Sequence, residues 1–141
     1  MSEAKKIKVE GNVDLDHALK IAFASSDLET VNAHFGGTKQ FAIYGVSKEG
    51  SELVEVLHTD TSKMKGDDKT EFKVKALEGA NVMYCESIGG TAAAKVIRAG
   101  IHPMKVNEPT PITTIVERFQ EMLGGNPPPW IKKIINEKEA E

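Results

Sequence analysis

Apolar positions change their spacing along this chain, and the changes divide it into strands and helices. The first sustained apolar stretch is "LKIAFASSD", where Leu19, Ile21 and Phe23 alternate with small residues in a nearly continuous run. Such a run predicts a central strand buried on both faces. Beyond the loop "ETVNAHFGGTKQF" comes "QFAIYGVSKEGSELVEVLHTD", with β-branched and aromatic residues on both sides of Lys48-Glu49-Gly50-Ser51. That pattern predicts a hairpin. The segment "GDDKTEFKVKALEGA" fits two periods, because Phe72, Val74 and Ala76 alternate while Phe72/Ala76 and Val74/Leu77 suit a helix. A helix is preferred, since Gly79 stands where a helix stops and the next segment begins a strand.

The remainder is plainer. "NVMYCES" reads as a buried strand and "IHPMKV" as another. Between them "GGTAAAKVIRAG" reads as a helix, with Ala92, Val96 and Ala99 on one stripe and Gly100 as its stop. This is a βαβ unit, whose connection is expected to be right-handed with parallel strands. In "PITTIVERFQEMLGG" the residues Ile112, Ile115, Val116, Phe119, Met122 and Leu123 follow the helical period. The order β-β-β-α-β-α-β-α predicts an α/β domain with a mixed five-stranded sheet and flanking helices. Residues 1–18 are expected to be a flexible N-terminal segment and 19–125 a single domain. Residues 126–141 are expected to be a Pro-rich tail ending in a short charged segment, with Trp130, Ile131 and Ile134 available to dock back. There is no internal repeat.

Composition narrows the function classes. The chain has 141 residues, 40% hydrophobic and 28% charged, which suits one core. Its net charge is -3 and its lysines are scattered among carboxylates, so no basic stripe is available to a nucleic-acid backbone. No apolar run approaches the roughly 20 residues of a membrane span, and "MSEAKKIKVEGN" lacks the apolar core of a signal peptide. A cytoplasmic protein without membrane or nucleic-acid contacts is expected. A lone cysteine, Cys85, excludes an internal disulfide and a four-thiolate zinc or iron–sulfur site built by one chain.

Topology then concentrates the candidate chemistry. If the first strand is central, with the hairpin on one side and the strand ending at Cys85 on the other, the two parallel strands open on the same edge. Ligands favour that edge. The loop with His34, Phe35, Gly36 and Gly37 follows the first strand, and "CESIGGT", with Ser87, Gly89, Gly90 and Thr91, follows Cys85. Both loops are therefore expected to face one crevice, where the helix opening at Gly90 offers free N–H groups to an anion. His102 is expected at the opposite edge, His58 two strands away, and His17 in the polar start, so these are not candidates. Cys85 reads equally as a small core hydrophobe or as a crevice thiol.

The segments "IAFASSD", "VNAHFGGTKQFAIYGV", "VMYCESIGGTAAAKVIRAGIHPMKV" and "GGNPPPWIKK" resemble the nitrogenase iron-molybdenum cofactor biosynthesis family. That family includes NifX, the core domain of NafY and the carboxyl-terminal domain of many NifB proteins. The likeness spans about residues 19–134 and is closest to NifX-type members. It implies a ribonuclease-H-like fold and a non-enzymatic carrier of the iron-molybdenum cofactor or its iron–sulfur precursor, bound transiently. It implies as partners a NifB-type donor, a NifEN-type scaffold and apo-dinitrogenase. In that family the glycine-loop histidine is implicated in holding the cluster, and His34 occupies that position. Cys85 matches a cysteine of NifX-type members, which makes His34 and Cys85 the expected metal donors. An imidazole and a soft thiolate suit iron or molybdenum. Lys39, Lys95 and Arg98 are the expected charge partners of an anionic cargo.

Two other classes compete. An enzyme acting on a phosphorylated or nucleotide substrate could use the same crevice, with Asp27, Glu86 and Glu108 as its carboxylates. An interaction module binding no small molecule could use the Trp130 tail.

Overall fold

The computed structural model describes residues 5–8, 18–66 and 68–139. In chain order the elements are β1 (Lys5–Lys8), β2 (Leu19–Ala24), β3 (Thr30–Val31), β4 (Gln40–Ser47), β5 (Gly50–His58), α1 (Asp68–Ala76), β6 (Val82–Cys85), α2 (Gly90–Arg98), β7 (His102–Lys105), β8 (Thr110–Pro111), α3 (Ile112–Gly124) and α4 (Pro129–Glu139). The main sheet runs β1-β5-β4-β2-β6-β7. β2 pairs antiparallel with β4 and parallel with β6, and β6 pairs parallel with β7. The five expected strands thus form one mixed sheet with β2 at its centre. A short ribbon, β3 against β8, closes the loop after β2.

Two differences from expectation concern the ends. Lys5–Lys8, inside the segment expected to be flexible, adds a sixth strand antiparallel to β5; the rest of 1–17, His17 included, lies outside the described residues. The tail docks back through Ile131 and Ile134 as expected, but it does so as a helix, α4, which starts at Pro129. Proline at the first helical position lacks only an N–H that would be unpaired anyway.

Strand parity divides the core into two layers. Leu19, Ile21 and Phe23 of β2 join Ala42, Val46 and Val82 against Ile112, Ile115, Val116 and Phe119 of α3 and Ile131 of α4. The alternate residues, Ala22 and Ala24, join Phe41, Ile43, Met83 and Cys85 against Ala76 and Leu77 at the end of α1 and Val96 of α2. Successive strand side chains point to opposite faces, so the apolar run of β2 serves both layers. The stops at Gly79 and Gly100 are real turns in the left-handed region, with φ of 94° and 84°.

Candidate functional site

Because β2 and β6 are parallel neighbours, their following loops leave the sheet side by side. Two backbone hydrogen bonds join them: Phe35 N–H donates to the Ser87 carbonyl at 2.9 Å, and Glu86 N–H to the Ala33 carbonyl at 2.9 Å. The two loops are therefore adjacent at one edge of the sheet, as expected, and His34 and Ser87 meet where a crevice is expected. His34 Nδ1 and Ser87 Oγ are hydrogen-bonded, and both residues are exposed. Nε2 has no hydrogen-bond partner among the described residues.

Phe35 points the other way. Its ring is only 1% exposed and lies 6.0 Å from that of Phe41 in the α1/α2 layer. The His34 carbonyl accepts from Gly37 N–H at 3.2 Å and Thr38 N–H at 2.9 Å, which closes the turn. The turn does not require its glycines. Gly36 and Gly37 are not in the left-handed region, and a Cβ built on either meets nothing within 4 Å. The turn itself would admit side chains, so it does not account for the two glycines. Gly89 and Gly90 have the same open space around them.

Across the crevice α2 begins without a side-chain cap, Gly89 standing at its N-cap position. The first intrahelical donor is Ala93 N–H, bonded to the Gly89 carbonyl at 2.9 Å. The N–H groups of Gly90, Thr91 and Ala92 are left for another acceptor, and no acidic residue occupies the first turn.

Cys85 does not join this set. Parity turns it to the same face as Met83, where it is 0% exposed beneath the layer containing Phe35. Its Sγ lies 3.9 Å from the Met104 carbonyl, and burial pushes the thiol up to about 11. Without a metal this setting favours the neutral thiol, and the side chain packs as a core residue.

Of the expected cations, one is ion-paired, one is distant from Gly90 and one lies beside the turn. Lys95 pairs with Glu71 of α1 at 3.5 Å, and Arg98 sits in the last turn of α2, about 12 Å along the axis from Gly90. Lys39 is exposed beside the turn. The cation that reaches the loop from beneath was not among the expectations: Lys73 of α1. It is 1% exposed, and Nζ donates to the Phe35 and Gly36 carbonyls, each at 2.8 Å. Nζ also lies 5.9 Å from the Phe35 ring centroid. Burial lowers the ammonium to about 8, against the opposing pull of Asp60.

The carboxylates of the competing enzyme reading do not gather. Asp27 Oδ1 accepts from Glu29 N–H at 2.9 Å, Thr30 N–H at 2.8 Å and Ser25 Oγ at 2.9 Å. The two backbone donors hold its carboxyl below the usual range. Asp27 is a loop cap. Among the described residues no three His, Cys, Asp or Glu side chains are grouped to hold a metal ion. His58 ends β5 two strands from β2, and the exposed His102 packs against Trp130 at 4.8 Å.

A family model described as dinitrogenase iron-molybdenum cofactor matches residues 17–122, a span that holds both glycine loops, Lys73 and the helix start at Gly90. The chain belongs to that family. It is 42% identical to the NifX protein of Sinorhizobium fredii, over 84% of this chain and 78% of that one. It is 41% identical to NifX of Rhodobacter capsulatus, over 83% and 77%. NifY of Azotobacter vinelandii is 34% identical over 86% of this chain, which spans 50% of that longer protein. Among solved structures, the apo form of the orange protein from Desulfovibrio gigas superposes with a TM-score of 0.60, covering 76% of this chain and 91% of that one at 20% identity. That likeness establishes the shared fold. Among the described residues no helix is long and apolar enough to cross a membrane.

Proposed function

We propose that this chain acts in nitrogenase cofactor biosynthesis by binding the iron-molybdenum cofactor, or its iron–sulfur precursor, in the crevice between the 34–38 and 86–90 loops. It then hands the cluster on. The observation that carries this reading is His34, an exposed imidazole hydrogen-bonded at Nδ1 by Ser87 and free at Nε2. With Nδ1–H donated to Ser87 Oγ, the lone pair of Nε2 is available to a metal, and the hydroxyl fixes the ring that carries it. A Cβ built on Gly36, Gly37, Gly89 or Gly90 would meet nothing within 4 Å, so the backbone of both loops is open to close approach by a ligand. The uncapped N-terminus of α2, with Thr91 in its first turn, suits the anionic charge such a cluster carries.

A preassembled cluster brings its own sulfide ligands and needs few protein donors. One imidazole suits a carrier, because a weakly held cargo can be released. The donor would be a NifB-type protein, the next station a NifEN-type scaffold or apo-dinitrogenase. Family membership and the relatives named NifX and NifY support this place in assembly. The protein purified without oxygen from cells making the cofactor is expected to show broad brown iron–sulfur absorption. A colourless protein that also fails to take up added cluster would overturn the reading, and turnover of a phosphorylated substrate would favour the enzyme instead.

A further inference from the structure

Lys73 is an unusual residue to find under this loop. Its ammonium is 1% exposed, and no ion pair holds it among the described residues; Asp60 is the attractive charge that acts on it, and Lys69 opposes. Burying an unpaired ammonium is unfavourable, and an apolar side chain of similar length would avoid the cost. Packing therefore does not explain the choice.

The hydrogen bonds do. Nζ draws the Phe35 and Gly36 carbonyls inward, each at 2.8 Å. There is no cis peptide bond among the described residues, so each N–H points opposite to the carbonyl of its own peptide unit. The Gly36 N–H, which shares its peptide with the Phe35 carbonyl, must then point away from Lys73, outward beside His34. It has no acceptor among the described residues, and Gly36 is exposed. The Gly37 N–H also faces away from Nζ but is used in the turn, donating to the His34 carbonyl.

We propose that Lys73 is the positioning residue of the crevice: its two hydrogen bonds fix the peptide orientation of the 34–37 turn, aiming the Gly36 N–H at an anionic atom of the cargo next to His34. The same bonds place a fixed positive charge directly beneath the turn. Three elements then converge on one anion: the Gly36 amide, the first turn of α2 and the buried ammonium. This assignment rests on the crevice being the cluster site, and it concerns a residue on a helix that contributes nothing else to that site.

Lys73→Met retains the length and removes both donors, whereas Lys73→Arg retains donors. The test follows Gly36 and Gly37 amide resonances of 15N-glycine-labelled protein without cargo, thermal melting, and binding of isolated iron-molybdenum cofactor under oxygen exclusion. Lys73→Met relieves the burial of an ammonium but leaves two carbonyls without their donor, opposing effects that are expected to keep the melting temperature within roughly 5 °C of wild type. Its Gly36 and Gly37 resonances should move while those of Gly79 and Gly100 stay, and its affinity should fall about tenfold, the size typical of lost outer-shell support. Lys73→Arg should recover most of that loss. Unmoved loop resonances in Lys73→Met would overturn the proposal, as would wild-type affinity in Lys73→Met when His34→Ala has lost binding. If His34→Ala binds as wild type does, the crevice reading itself fails, and the loop resonances alone then decide whether Lys73 sets the turn.

Discussion

His34 and Phe35 are adjacent in sequence yet should respond oppositely to truncation. The Phe35 ring is 1% exposed, contacts the α1/α2 layer and stands 6.0 Å from Phe41. Phe→Ala changes in cores cost about 3–5 kcal/mol, and a loop able to sag into the void favours the lower end, about 3 kcal/mol for Phe35→Ala. For a chain of this size each kcal/mol lowers the melting temperature by roughly 3–4 °C, so a fall of about 10 °C is expected. His34 is exposed, and its side chain makes one hydrogen bond, to Ser87. His34→Ala should therefore stay within about 0.5 kcal/mol, under roughly 2 °C. Calorimetry on both variants at one pH measures the contrast. Equal small shifts would show that the ring does not anchor the loop. A His34→Ala shift as large as that of Phe35→Ala would show that the imidazole serves the fold.

Gly36→Ala adds a Cβ into open space without left-handed strain, so stability should change by less than about 0.5 kcal/mol while cofactor binding weakens; unchanged binding would place the cluster elsewhere. Cys85, buried with its thiol at about 11, should resist iodoacetamide at pH 8 until the chain unfolds, and Cys85→Ala should retain cofactor binding. Rapid alkylation of the native protein, or lost binding with a native melt, would restore it as a ligand. Lys73 has a pKa of about 8 in the folded chain against 10.5 for a free lysine, so the unfolded state holds more protons between those values and stability gains from Lys73 as pH rises through that window. The difference in melting temperature between wild type and Lys73→Met should accordingly shift in favour of wild type from pH 8 to 10.5; a flat difference would mean that the ammonium is not buried.

Most of the frame was legible in the sequence because single residues carried the signals. The two-faced apolar run at Leu19–Ala24 put β2 in the centre, and the stops at Gly79 and Gly100 bounded the helices correctly. From that order the meeting of the two glycine loops follows by topology. Other features needed the third dimension. A residue at a strand end can face the loops or the core, and only the folded chain shows Cys85 buried in the layer that also holds Phe35. Lys73 has a trace in sequence, since it shares a helical stripe with Ala76 and Leu77, three and four positions on. A lysine on an apolar stripe reads as a surface residue until its carbonyl partners, far away in sequence, are known. Lys5–Lys8 escaped because a lysine-rich edge strand lacks the apolar alternation of an inner one. The tail helix was obscured by its prolines: they break the preceding chain, but Pro129 begins α4, and Ile131 and Ile134 recur at helical spacing.

The most direct test of the account is a titration of isolated iron-molybdenum cofactor, without oxygen and at neutral pH, into wild type and His34→Ala, followed by the absorption of the bound cluster. Wild type should saturate near one cofactor per chain, and His34→Ala should bind at least about tenfold more weakly with an unchanged melting temperature. Equal binding by the two proteins would contradict the claim that His34 holds the cargo.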